Sequence, residues 1–152
     1  MKTIYILLIL LFISGCSSQN AFTYFDLNKE QQLSAQSFKR VKLSEGEKVI
    51  GTFSTIYLNE VYPNRFNKNE YFVVYIYMKD SIEDFDLKLN SHGYMKIKEL
   101  NYDNRFSTLT REKSEWSKYY LVSFEEQGNQ LNLDLYINNS KLASIGYKKN
   151  QQ

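Results

Sequence analysis

The chain has 152 residues, of which 13 are Tyr and 10 are Phe, against one Pro and one Cys. With 19 basic and 17 acidic side chains it carries a formal net charge of +2, a field too weak to select nucleic acid, which wants clustered Lys and Arg. A single cysteine excludes an internal disulfide, so packing must hold any fold, and the aromatic side chains are the obvious material.

Met1 and Lys2 give a positive start, and Thr3 to Ile13 is an uncharged apolar run. That run falls short of the roughly 20 apolar residues a permanent membrane helix needs, so the layout predicts a secretory signal. It ends in Ile13-Ser14-Gly15-Cys16, an aliphatic residue, two small residues and the only cysteine. These four residues resemble the lipobox of bacterial lipoprotein precursors, a likeness confined to the first 16 residues. The resemblance implies cleavage between Gly15 and Cys16 and attachment of lipid to the Cys16 thiol. Each buried methylene contributes about 0.8 kcal/mol, so the two or three acyl chains of a mature lipoprotein make a lasting anchor. Ser17, and not Asp, follows Cys16, which in a Gram-negative host resembles the pattern sent to the outer membrane, facing the periplasm. The expected organisation is a removed signal over 1–15, a lipidated cysteine and short tether over 16–20, and a single domain over 21–152.

The first predicted element of that domain is a helix over Lys29 to Phe38. Asn28 is its cap and Gln31 stands in the capping-box position, with Leu33, Phe38 and Val41 on one face. Ser44 to Glu47 reads as a turn, and from Val49 onward the pattern is β. Val49 to Leu58 is rich in β-branched and aromatic residues, Asn59 to Glu70 reads as a long loop around Pro63, and Tyr71 to Lys79 is the strongest strand. Asp84 to Leu89 alternates, with Phe85, Leu87 and Leu89 on one face; Asn90 to Gly93 reads as a turn, with Tyr94 to Leu100 as the hairpin partner. Asn101 to Lys118 has no sustained period beyond a short helical turn around Thr110 to Trp116. Tyr119 to Glu126, Leu131 to Ile137 and Lys141 to Tyr147 are three strands joined by Gln127-Gly128-Asn129 and by Asn138-Asn139. Seven strands at hairpin spacing predict an all-β antiparallel β-sandwich, immunoglobulin-like or transthyretin-like, with one short N-terminal helix. A small β-barrel is the alternative.

Chemistry-bearing patterns are sparse. His92 is the only histidine and falls in a turn, which leaves no catalytic triad around it and no pair for zinc. Glu83, Asp84 and Asp86 lack the glycine-centred loop of a calcium site and read as the wet face of a strand. No glycine-rich phosphate loop occurs, so no cofactor is expected, and Asn138-Asn139-Ser140, an N-glycosylation acceptor in form, reads as a hairpin turn. The unusual feature is aromatic: Tyr71 to Met78 is apolar on both faces, with Tyr71, Val73, Tyr75 and Tyr77 on one of them. Either the helix or a long loop covers that face, or Tyr71, Tyr75 and Tyr77 form a platform for a protein partner or sugar rings, extended by Tyr57, Tyr62 and Trp116. The expected role is a membrane-anchored, non-catalytic binding or assembly module with an envelope protein as partner. A surface-displayed adhesin is the alternative, and a cell-envelope hydrolase fits least.

Overall fold

A computed structural model describes residues 28–80, 84–110 and 114–149. The signal, Gly15, Cys16 and the tether lie outside the described residues, as does Glu83. The fold begins with helix α1 (Lys29–Ser37), entered through a complete capping box in which Gln31 N donates to Asn28 Oδ1 and Asn28 N donates to Gln31 Oε1. At Phe38 the backbone is already extended, and the chain runs into β1 (Lys39–Glu45). Val41 is therefore a strand residue and not part of a helical face. The pattern misled because a Lys/Arg-rich alternation counts for little until a partner strand fixes it, and here β1 pairs along its whole length with β2 (Lys48–Tyr57). Between them Gly46, at φ 59°, takes the left-handed first position of a type II′ hairpin turn.

The remaining elements are α2 (Leu58–Val61), β3 (Glu70–Met78), β4 (Phe85–Leu89), β5 (His92–Gly93), β6 (Lys96–Leu100), β7 (Lys118–Phe124), β8 (Gln130–Ile137) and β9 (Ser140–Lys148). They form two antiparallel sheets, β1-β2-β3-β7-β6 and β5-β4-β8-β9. The all-β sandwich stands, and as neither sheet closes on itself the barrel is not the architecture. Two pairings differ from expectation. Strand β4 turns through Asn90 and Ser91, at φ 49° and 72°, into the two-residue β5, while β6 crosses to the other sheet and pairs with β7. Likewise the segment after Phe124 carries the chain from one sheet to the other, so of the C-terminal strands only β8 and β9 make a hairpin, through Asn138 and Asn139 at φ 50° and 61°.

The inner core lies between the sheets: Phe53, Phe72, Val74, Ile76, Val122 and Phe124 of the larger meet Leu87, Leu89, Leu131, Leu133, Leu135 and Tyr147 of the smaller. One side of the sandwich is shut by β9 packing on β1, and the Tyr147 hydroxyl reaches across to Thr55. At one end Glu70, 1% exposed, accepts from the Tyr57 hydroxyl, from Gln127 N at 2.9 Å and from Lys149 Nζ at 2.6 Å. Three donors compensate the burial of that carboxylate.

A second core covers the opposite face of the five-stranded sheet. Ile56, Val73, Tyr75 and Tyr119 are roofed by Leu58, Val61, Phe66, Phe106 and Leu109, with Leu33 and Phe38 packed against them. The most buried residues of α1 are serines, and their hydroxyls stitch the helix down: Ser34 Oγ donates to Leu109 O, and Ser37 Oγ bonds both the carbonyl and the N–H of Tyr57. Strand β3 is apolar on both faces because it is the middle strand of a sheet buried on both sides.

Candidate functional site

The tyrosine face of β3 does not form one exposed platform. Tyr75 is 7% exposed, its ring edge-on to Tyr119 at 5.2 Å and to Phe38 at 6.5 Å. Burial raises its hydroxyl pKa well above the ordinary tyrosine range; Tyr119 adds to the rise and Thr110 opposes it. The expectation of Tyr75 as a partner-binding residue is corrected accordingly: α1 and the loop carrying Leu109 reach over it. Tyr71 is half-buried, stacked against Phe66 at 4.8 Å, its backbone N–H donated to Asn59 Oδ1. Tyr77 continues past the cover and is half-buried in the lining of an open cleft, which Phe38 and buried Tyr75 also border. Tyr57 belongs to the inner core and cannot extend the patch, and Tyr62 packs at the outer cover against Phe66.

Trp116 is the exposed anchor, at 83% exposure. Its backbone is held. Trp116 N donates to Ser114 Oγ, a hydroxyl turn, while Ser114 O accepts from Ser117 N and from the hydroxyl of buried Tyr119 at 2.7 Å. The Tyr119 hydroxyl also accepts from Ser114 N at 2.9 Å, so both backbone groups of Ser114 are tied to the core. A large amphipathic ring thus projects into solvent from a turn fastened to the sheet. The helical turn expected around Thr110 to Trp116 falls partly on residues 111–113, outside the described residues; the part that is described is this turn.

Two clefts meet at Trp116. On the inner side, where the sandwich gapes between β4 and the edge strand β6, a cleft of about 580 Å³ is lined by Ile76, Met78, Phe85, Tyr94, Ile97 and Tyr120, with Asp80, Glu99 and Lys118 also in its lining. Across Trp116, on the outer face, a cleft of about 380 Å³ is floored by Thr52 and Ser54 of β2 and Tyr77 of β3, and walled by Arg40 of β1 and Ser117. Strand pairing builds this floor: Arg40 stands opposite Ser54, Ser54 opposite Tyr75, and Thr52 opposite Tyr77. Arg40 Nε donates to Ser54 Oγ at 2.8 Å, which sets the guanidinium along the floor. The sequence named Tyr77 and Trp116 but not Arg40, Thr52 and Ser54: Arg40 lies in a strand that was not expected, and Thr52 and Ser54, inside an expected strand, gain their place only from pairing with β1 and β3.

A third recess of about 930 Å³ opens near the other end of the sheet and is rich in Lys and Arg. Three of its cations are used internally: Lys39 bonds Gly146 O and lies over the Tyr147 ring, Arg65 lies over Phe66, and Lys149 is paired with Glu70. His92 is exposed in β5, its Nδ1 3.0 Å from Asn90 O. Asp84 is exposed, and Asp86 is half-buried, 3.9 Å from Lys88. Among the described residues no group of three or more His, Cys, Asp or Glu is placed to hold a metal, and no helix is long and apolar enough to cross a membrane. Comparison with family models, curated proteins and solved structures found no match.

Proposed function

We propose that this chain is a lipid-tethered, non-catalytic binding module of the bacterial cell envelope, and that Trp116 is its point of contact. The lipobox-like Ile13-Ser14-Gly15-Cys16 supports the tether. Eleven residues lie between Cys16 and Asn28, the first described residue, so Asn28 stays within about 40 Å of the membrane. The observation that carries the contact is an indole 83% exposed on a turn fixed by four hydrogen bonds, between two clefts. Covering it removes on the order of 150 Å² from water, worth about 4 kcal/mol at about 25 cal/mol per Å², with little ordering entropy to offset because the turn is already rigid.

Site-specific crosslinking in the native envelope tests the contact. A photoreactive phenylalanine at position 116 is expected to give a defined adduct that the same probe at Lys141, on the other sheet, does not. Equal labelling from both positions, or none from 116, contradicts the reading. The tether is tested separately by mass spectrometry. The mature N-terminal peptide is expected to begin at Cys16 and carry acyl chains, and a free thiol or another first residue contradicts it.

A further inference from the structure

We propose that the free edge of β6 is a docking site for an extended strand of a partner protein in which apolar and acidic residues alternate. This rests on the binding-module reading and names the partner's chemistry. Strand β6 ends the sheet β1-β2-β3-β7-β6, so its outward backbone groups meet no strand among the described residues. The opposite edge differs: β9 packs on β1 and shuts that side of the sandwich. On the β6 side the sandwich stays open, since β5 pairs with Lys88 and Leu89 and leaves Phe85 to Leu87 of β4 at an edge as well. Exposed apolar side chains gather there. Of the five large ones among the described residues, Tyr94 and Met95 lead directly into β6, and Trp116 lines the inner cleft together with Tyr94.

The two faces of β6 set what the partner must carry. Ile97, opposite Val122, packs on the inner core, while Leu100 packs on the second core across the sheet. Alternation therefore puts Ile97 and Glu99 toward the inner cleft, and Lys96 and Lys98 on the outer face. Across the strand pair these lysines stand opposite Ser123 and Leu121, and among the described residues neither has an ion pair. An added strand presents alternate side chains to the same two faces. Its inward residues meet Ile97, Phe85, Met78 and Trp116, an apolar lining whose few charges, Asp80, Glu99 and Lys118, are of both signs. Its outward residues meet Lys96 and Lys98, which select carboxylates. A second copy of this chain is the wrong occupant. Two-fold pairing sets residues of one face against each other, so registers centred on Ile97, Lys98 and Glu99 oppose Lys96 to Lys98, Lys98 to itself and Glu99 to itself. The lysines thus guard the edge against its own copies and admit a strand of opposite charge.

The single tryptophan lines the cleft that such a strand would cover, so its emission reports binding. The mature chain in detergent is titrated with the end-blocked peptide Glu-Val-Glu-Val-Glu-Val-Glu. A saturating blue shift is expected, with Lys-Val-Lys-Val-Lys-Val-Lys weaker by about tenfold or more. The double variant Lys96→Glu, Lys98→Glu, checked for β-sheet circular dichroism, should reverse that preference, while Lys141→Ala leaves it unchanged. Backbone pairing is read on the wild-type chain, whatever the variant does, by N-methylating the acidic peptide at alternate residues. Methyl groups on one alternate set should abolish the shift, and on the other set leave it. An emission maximum unmoved at millimolar acidic peptide, equal response to the two peptides, full response to both methylated sets, or an unreversed preference in the folded double variant overturns the proposal. A silent titration alongside a protein adduct at position 116 removes the acidic strand and leaves the binding module. A silent titration with no adduct removes both.

Discussion

Along one face of β3 the same kind of residue meets two fates. At Tyr71, Val73 and Tyr75 the face lies under or against α1, α2 and the loop carrying Phe106 and Leu109; two residues further on, Tyr77 stands at an open cleft with Trp116 beside it. Nothing in the local sequence separates Tyr75 from Tyr77. What separates them is reach: the cover is stitched down at Ser34 and Ser37, and it ends near Phe38. The difference teaches that an aromatic stripe is core where another segment lands on it, and becomes a candidate contact surface where it outruns that segment.

The broadest way to break the covered region is alkaline pH. Burial raises the pKa of Tyr75, Tyr57 and Tyr147 above the ordinary value of about 10, with the Glu70 carboxylate adding to the rise at Tyr57. The unfolded chain releases these protons near pH 10 while the folded chain keeps them. Stability is therefore fully present below about pH 10 and falls as pH rises above it. Urea midpoints between about pH 8 and about pH 11 should decline only at the upper end, with the last part of the tyrosinate absorbance, that of the buried hydroxyls, appearing only on unfolding.

Among single substitutions, Tyr75→Ala should cost the most, about 3 kcal/mol, because it removes a large ring that is only 7% exposed. Denaturant unfolding of this variant beside Trp116→Ala sharpens the contrast, since removal of the exposed indole should change stability by no more than about 0.5 kcal/mol. Between these lies Gly51→Ala. A Cβ there would sit 2.2 Å from Tyr77 O and 2.7 Å from Met78 Sδ, so β2 and β3 must part, at about 2 kcal/mol. As Met78 also lines the inner cleft, this variant should lose peptide response as well as stability. Trp116→Ala, by contrast, should lose binding alone. Stability and binding thus separate between Tyr75→Ala and Trp116→Ala, and a Trp116→Ala variant that loses both breaks the comparison.

Much of this architecture was legible in sequence. Strands β2, β3, β8 and β9 follow from β-branched and aromatic runs with alternation, and α1 from Asn28 and Gln31, whose side chains close the capping box as their types and spacing imply. Strand β1 was not, because Lys39 to Glu45 acquires meaning only from its pairing with β2. Nor was the sheet to which β6 belongs, since adjacency in sequence favours a hairpin with β4, and the crossing between sheets after Gly93 is a tertiary choice. The site suffers from the same blindness. Arg40, Thr52, Tyr77 and Trp116 come from three strands and a turn, and only strand register and the anchoring of Ser114 by Tyr119 bring them to one cleft.

The most direct test of that surface is fluorine NMR on the mature chain carrying 5-fluorotryptophan at its single tryptophan. One resonance is expected, with the solvent isotope shift of an exposed indole, and addition of isolated envelope fragments should move or broaden it while Lys141→Ala behaves as wild type. A resonance that lacks the isotope shift, or that stays unmoved in the presence of those fragments, contradicts Trp116 as the point of contact.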